Sequence, residues 1–183
     1  MEDNNRKIDF AKKSGKTDEW YTPKTAIYPI LKYINKNKVI WCPFDTKESN
    51  FVGVLKEKGY KIIYSHIDSG EDFFKYIPNE KFDLILSNPP YSTRNEILLR
   101  AFELEKPFAL LMNTNGLFDS RLRWNLFTKN DFTLFYIKGR VNYMKEYGKA
   151  EKSSPPFQSA YICSKMFADK IVFQDDEDML FLN

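Results

Sequence analysis

The amino-acid sequence predicts an α/β fold, a mostly parallel sheet with helices on both faces and an antiparallel C-terminal edge. Three observations carry that expectation. Short apolar runs alternate with amphipathic stretches from Thr25 to Thr128, as in strand–helix–strand units with right-handed crossovers. The runs are apolar throughout, which marks strands covered on both faces. Beyond Thr128 three further runs follow one another with no helical stretch between them, the pattern of antiparallel pairing.

Each element follows from its own residues. Thr25 to Asn35 places Ile27, Ile30, Leu31 and Ile34 at helical spacing, and Pro23 sits where a first turn accepts proline. VIWCPF predicts the first strand, Asp45 to Asn50 a polar turn, and Phe51, Val54 and Leu55 a helix that stops at Gly59. KIIYS reads as the next strand, Asp72 to Ile77 as a short helix, FDLILSN as a buried strand and Asn95 to Glu105 as a helix. FALLMN is a further strand and Arg121 to Thr128 a helix, after which FTLFYIKG, SAYICSK and KIVFQ complete the sheet.

With 183 residues, 43% of them hydrophobic, the chain can bury one core and is short for two. Residues 17–183 are therefore expected to form a single domain, and the polar, lysine-rich residues 1–16 a flexible arm. No run approaches the ~20 apolar residues of a membrane span, and MEDNNRKIDF lacks the apolar centre of a secretory signal, so a cytoplasmic protein is expected. Cys42 and Cys163 have no partner at metal-ligand spacing, which argues against structural zinc and against disulfides. A net charge of +3 tolerates a polyanionic partner without requiring one.

The residues that carry chemistry are Asn88, Pro89, Pro90 and Tyr91, directly after a buried strand. In open α/β sheets ligands sit at the carboxyl ends of strands, so this tetrapeptide faces a site. Two prolines fix φ and remove two N–H groups, leaving a stiff loop that offers acceptors. The Asn88 oxygen and the Pro89 carbonyl suit an exocyclic NH2, whose lone pair they draw out of conjugation with its ring. Tyr91 adds a flat face for a flipped base, a role for which Tyr91→Phe is expected to suffice. The competing reading is a rigid turn with a core aromatic.

These residues resemble the catalytic loop of the class I amino-methyltransferases, in which Asp, Asn or Ser precedes Pro-Pro and an aromatic. Asp18-Glu19-Trp20-Tyr21-Thr22-Pro23 is similar to the segment before the first helix in phage and mobile-element DNA adenine methylases. Gly70-Glu71-Asp72-Phe73, Gly139-Arg140-Val141 and Pro156-Phe157-Gln158-Ser159-Ala160 resemble further motifs of that group, in the same order. The resemblance implies a Rossmann-like class I methyltransferase fold, a catalytic domain with no separate target-recognition domain, and S-adenosylmethionine as cofactor. It implies that Tyr21, Thr22 and Pro23 hold the methionine end, and that Asp72, with Phe73, receives the adenine amino group. Phe44 and Asp45 lie in the turn after the first strand, where such a cofactor binds. The implied reaction is methylation of the N6 amine of adenine in nucleic acid, DNA before RNA.

Two positions depart from that pattern. The first turn, Asp45-Thr46-Lys47-Glu48-Ser49, contains no glycine, although its amides and Lys47 remain available to a carboxylate. His66 stands where an acid for the ribose is expected, and a capping role is its plainer reading. Asp45 divides between capping the next helix and touching the cofactor, while Thr22 and Asp72 serve equally as caps.

On the substrate side, the segment from Gly139 to Pro156 mixes Arg140, Lys145, Lys149 and Lys152 with Tyr143, Tyr147 and Phe157. It is long for a structureless connection, and the basic groups suit phosphates as the aromatic rings suit bases. A clamp that orders on nucleic acid is expected, with Asn113 to Gly116 bordering the target pocket. Sequence specificity beyond this loop would come from a homodimer or a partner protein. The competing functions are methylation of ribosomal or transfer RNA, methylation of protein glutamine, and a degenerate nucleic-acid-binding module that no longer holds cofactor.

Overall fold

The computed structural model describes residues 21–146, 149–150 and 156–175; the arm over 1–16, Trp20, Tyr147 and Lys152 lie outside them. Helix α1 (Lys24–Leu31) leads to strand β1 (Val39–Cys42), helix α2 (Asn50–Glu57) and strand β2 (Lys61–Tyr64). Strand β3 (Leu84–Ser87), helix α3 (Arg94–Glu103), strand β4 (Phe108–Asn113), helix α4 (Arg121–Lys129) and strand β5 (Thr133–Tyr136) follow. A hairpin of β6 (Met144–Glu146) and β7 (Lys149–Ala150) precedes β8 (Ser159–Ser164) and β9 (Ile171–Phe173).

The main sheet runs β2-β1-β3-β4-β8-β5-β9. β1 pairs in parallel with β2 and β3, and β3 with β4, whereas β8 is antiparallel to both β4 and β5. The antiparallel strand is thus inserted between two others, and β9 closes the sheet in parallel with β5. This is the Rossmann-like α/β architecture that the sequence predicts. The apolar runs behave as strands covered on both faces: Ile40 and Cys42 of β1 join one core with Ile27, Phe51 and Leu55, while Trp41 joins the other with Ile97, Leu98 and Phe127. The same alternation along Leu84, Ile85 and Leu86 sets β3 between both layers.

The chain leaves β1 outward to β2 and then returns to β3 on the other side of β1. In an open α/β sheet such a reversal of strand order marks the crevice where a ligand usually sits, here at the carboxyl ends of β1 and β3.

Three expectations are corrected. Asp72 to Ile77 forms only a turn, in which the Lys75 and Tyr76 amides both bond the Asp72 carbonyl. Phe73 is held there by packing on Trp41, which fixes the turn without helical propagation. The first helix ends at Leu31 because Tyr33 and Ile34 bond back only three residues, to Ile30 and Leu31, though Ile34 stays buried. The segment after Gly139, expected to order on nucleic acid, already pairs β6 with β7 among its described residues. Among the described residues no helix is long and apolar enough to cross a membrane.

Candidate functional site

The loop Asn88-Pro89-Pro90-Tyr91 leaves β3 at the crevice. Pro89 is buried, Pro90 is extended and exposed, and Tyr91 opens a single 3-10 turn, Tyr91–Thr93, that runs into α3. The Asn88 Oδ1 atom is shielded from solvent, so the acceptor on which the amine reading depends lies in a low-dielectric setting where its bonds are strong.

Across the crevice stands Asp45, 6% exposed. Its carboxylate accepts from the hydroxyl of Ser87, the last residue of β3, and so ties the first turn to the strand that launches the loop. The Asp45 amide donates to the Ser65 carbonyl (3.1 Å), which fastens the same turn to the end of β2. Burial pushes the Asp45 carboxyl up from 3.8 to about 6, against bonds from Ser87 and Ser49 that pull it down. No cation among the described residues offsets the burial. Asp45 is not the cap of α2; Ser49 takes that position without a side-chain bond to the helix, its hydroxyl accepting instead from the Thr46 amide upstream at 3.0 Å. Hydroxyl and backbone bonds close this turn where a glycine-rich one would leave its amides open.

Thr22 is buried, and its carbonyl accepts from Asn50 Nδ2 at the start of α2 (2.8 Å), which brings the Tyr21-Thr22-Pro23 segment to the first turn. Pro23, not Thr22, holds the cap position of α1, with its carbonyl receiving the Ala26 amide. Tyr21 exchanges two backbone bonds with Met144, 3.0 and 2.9 Å, in an antiparallel bridge. Half-buried Phe44 packs its ring 4.9 Å from that of buried Phe73, so Phe73 backs Phe44. Asp72 is half-buried; its Oδ1 caps the Phe74 amide at 3.0 Å. His66 takes the capping role, its Nδ1 accepting from the Asp68 amide.

Phe157 is brought against Tyr91, edge to face with centroids 5.8 Å apart. Arg140 is exposed beside Gly139, whose carbonyl accepts from Gln158. Lys145 lies in β6 and Lys149 in β7, which puts both on the hairpin. Tyr143 is the departure: it is fully buried and offers no stacking surface to a substrate. Its hydroxyl accepts from Tyr91 (2.8 Å) and donates to Ser159 (3.0 Å). The Tyr91 hydroxyl is thus engaged, and Tyr91→Phe removes a bond that the sequence reading did not foresee.

Asn113 to Gly116 borders the same edge and is held from two sides. Arg94, at the start of α3, donates to the Asn115 carbonyl (2.9 Å), and buried Arg123 donates to the carbonyls of Gly116 (2.7 Å) and Leu117 (2.6 Å). Gly116 has φ +60°, the left-handed region that favours glycine, and a Cβ there would push aside the Asp119 carboxylate, 2.7 Å away. Ser87, Ser49, Asn50 and Arg123 escaped the sequence reading as site residues, and Tyr143 was read there as a stacking surface. Of these only Ser87 carried a signal, since it directly precedes Asn88.

No protein-family profile matches the chain, and no curated protein matches it in sequence. In structure it is similar to a dimethyladenosine transferase from Plasmodium falciparum, with a TM-score of 0.50 and 14% identity over 88% of this chain. The chain spans 65% of that protein's length. A likeness at that identity speaks for the fold.

Proposed function

We propose that this chain transfers a methyl group from S-adenosylmethionine to the exocyclic N6 amine of adenine in nucleic acid. The observation that carries the reading is the placement of Asn88-Pro89-Pro90-Tyr91 at the carboxyl end of β3, beside the reversal of strand order and with Asn88 Oδ1 out of solvent. The neighbour's name favours an adenine acceptor and brings RNA level with DNA.

The residues present fit a cationic cofactor. Asp45 is a buried acid that meets no cation among the described residues, and a ligand bearing an ammonium and a sulfonium would return it to the ionised form. Phe44 offers an apolar face, Thr22 lies against the first helix after β1, and Asp72 keeps its second oxygen for an amino group. When bound, S-adenosylmethionine supplies an electrophilic methyl whose bond to sulfur breaks, leaving its electron pair there, as the bond to nitrogen forms. Asn88 Oδ1 and the Pro89 carbonyl orient the amine and stabilise the positive charge that develops on it; its surplus proton then leaves to solvent. Tyr91 and Phe157 hold the base, and the hairpin lysines meet phosphates.

The test is radiolabelled methyl transfer to DNA, RNA and protein in parallel. Label at N6 of adenine in either nucleic acid supports the reading, and label confined to protein replaces it.

Two further outcomes are expected. Asp72→Asn keeps the cap on the Phe74 amide but places an NH2 group on the other side, so cofactor affinity falls by ~1–3 kcal/mol with little change in melting temperature. Calorimetric titration checks this, and an unchanged affinity removes Asp72 from the cofactor site. Neutralising Lys145, Lys149 and Lys152 together is expected to weaken binding across all sequences and lower the slope of log affinity against log salt by roughly 2 to 3. A triple variant with the parent's salt slope would return the hairpin to ordinary surface.

A further inference from the structure

We propose that Tyr143 is a positioning residue that fixes Tyr91 for base binding by coupling its hydroxyl to the sheet. The proposal rests on the methyl-transfer reading, which gives Tyr91 its task. A buried tyrosine needs a partner for its hydroxyl, and Ser159 alone would satisfy the Tyr143 donor. The Tyr143 oxygen takes a second bond from Tyr91, a half-buried side chain of the loop beside the crevice. The three hydroxyls therefore run in series, Tyr91 to Tyr143 to Ser159, each donating to the next.

Both ends of that series are anchored. Ser159 is buried and opens β8, paired with Asn113 at the end of β4, so the chain of bonds terminates on the sheet itself. The Tyr143 backbone is held by its neighbour, since Met144 exchanges both main-chain bonds with Tyr21. Tyr91 is restrained at its hydroxyl and by edge contacts with Phe157 and Tyr143, at 5.8 and 6.5 Å between centroids. Burial also raises the Tyr143 hydroxyl above its ordinary range, so it stays a neutral phenol and keeps both bonds at working pH. Because Tyr143 leads directly into β6, the same residue joins the hairpin to the loop at the crevice.

Tyr143→Phe keeps the buried ring and removes only the hydroxyl. In the protein alone, NMR of tyrosines labelled in the ring is expected to show faster motion of the Tyr91 ring in the variant. An unchanged Tyr91 ring overturns the proposal whatever the activity. In single-turnover transfer, Tyr143→Phe and Tyr91→Phe are each expected to lose up to about tenfold in rate with cofactor affinity retained. The double variant is expected to lose no more than the worse single, because both remove the same bond. Fully additive losses, or a parent-like rate in Tyr143→Phe, overturn the positioning role. Should Tyr143→Phe fail to fold, Ser159→Ala tests the same series from its far end: the Tyr91 ring is expected to loosen, and an unchanged ring again overturns it. A parent protein that transfers no methyl group sinks the methyl-transfer reading, while the ring-motion measurement still decides whether Tyr143 fixes Tyr91.

Discussion

Asn88→Ala is expected to lower the rate of methyl transfer by on the order of 10² or more while leaving cofactor affinity near that of the parent. Its side-chain oxygen is shielded from solvent at the end of β3, where a dipole acts in a low dielectric. A bond from the target amine to that oxygen strengthens as positive charge develops on nitrogen, so its loss is felt more in the transition state than in the ground state. Single-turnover transfer at saturating cofactor and polymer measures the rate, and calorimetry the affinity. A folded variant with a near-parent rate would reduce Asn88-Pro89-Pro90-Tyr91 to a rigid turn.

The second large effect concerns Asp45. Its carboxyl titrates near 6 in the folded protein against an ordinary 3.8, because burial disfavours its charge. The folded state thus holds its proton where the unfolded chain has already released it. The contribution of Asp45 to stability falls as pH rises from about 4 to about 6 and is level above that, for a total of about 3 kcal/mol. Asp45→Asn removes the ionisation while leaving an oxygen for the Ser87 hydroxyl. The variant is expected to be more stable than the parent by ~1–3 kcal/mol at pH 8, with the gain gone near pH 4. The same substitution withdraws the charge offered to a cationic cofactor, so affinity at pH 8 is expected to fall at least about tenfold. Urea denaturation at the two pH values and calorimetric titration test the pair. A variant less stable than the parent at pH 8 would mean that its carboxylate is not a buried, uncompensated charge.

Local pattern made most of this fold legible. FALLMN became a six-residue strand with the bounds of the apolar run itself, and the buried run ending at Ser87 placed the Pro-Pro loop correctly at a strand's carboxyl end. What the sequence withheld is long-range. Nothing near Ser159 says that its strand inserts between β4 and β5, because a strand's neighbours are chosen by the assembled sheet. Asp45 and Ser87 lie 42 residues apart, and their bond exists only because β1 and β3 are adjacent. Tyr143 misled because a tyrosine among lysines and arginines reads as surface, whereas its hydroxyl finds two buried-side partners. The turn at Asp72 misled because a cap residue before two aromatics looks like a helix start, while Phe73 is captured by Trp41 instead.

The inserted strand bears on how the protein is made. β8 is buried along all six residues and bonds β4 on one side and β5 on the other, so it is the keystone between two parts of the sheet. A ribosome releases β4 and β5 first, and until residue 164 emerges β5 has no strand beside it while β4, paired to β3 on one side, leaves its other edge open. The nascent chain therefore cannot close its sheet strand by strand. Interrupting translation between β5 and β8 is expected to yield a sticky, protease-sensitive species, and release of β8 to convert it to the folded form in one late step.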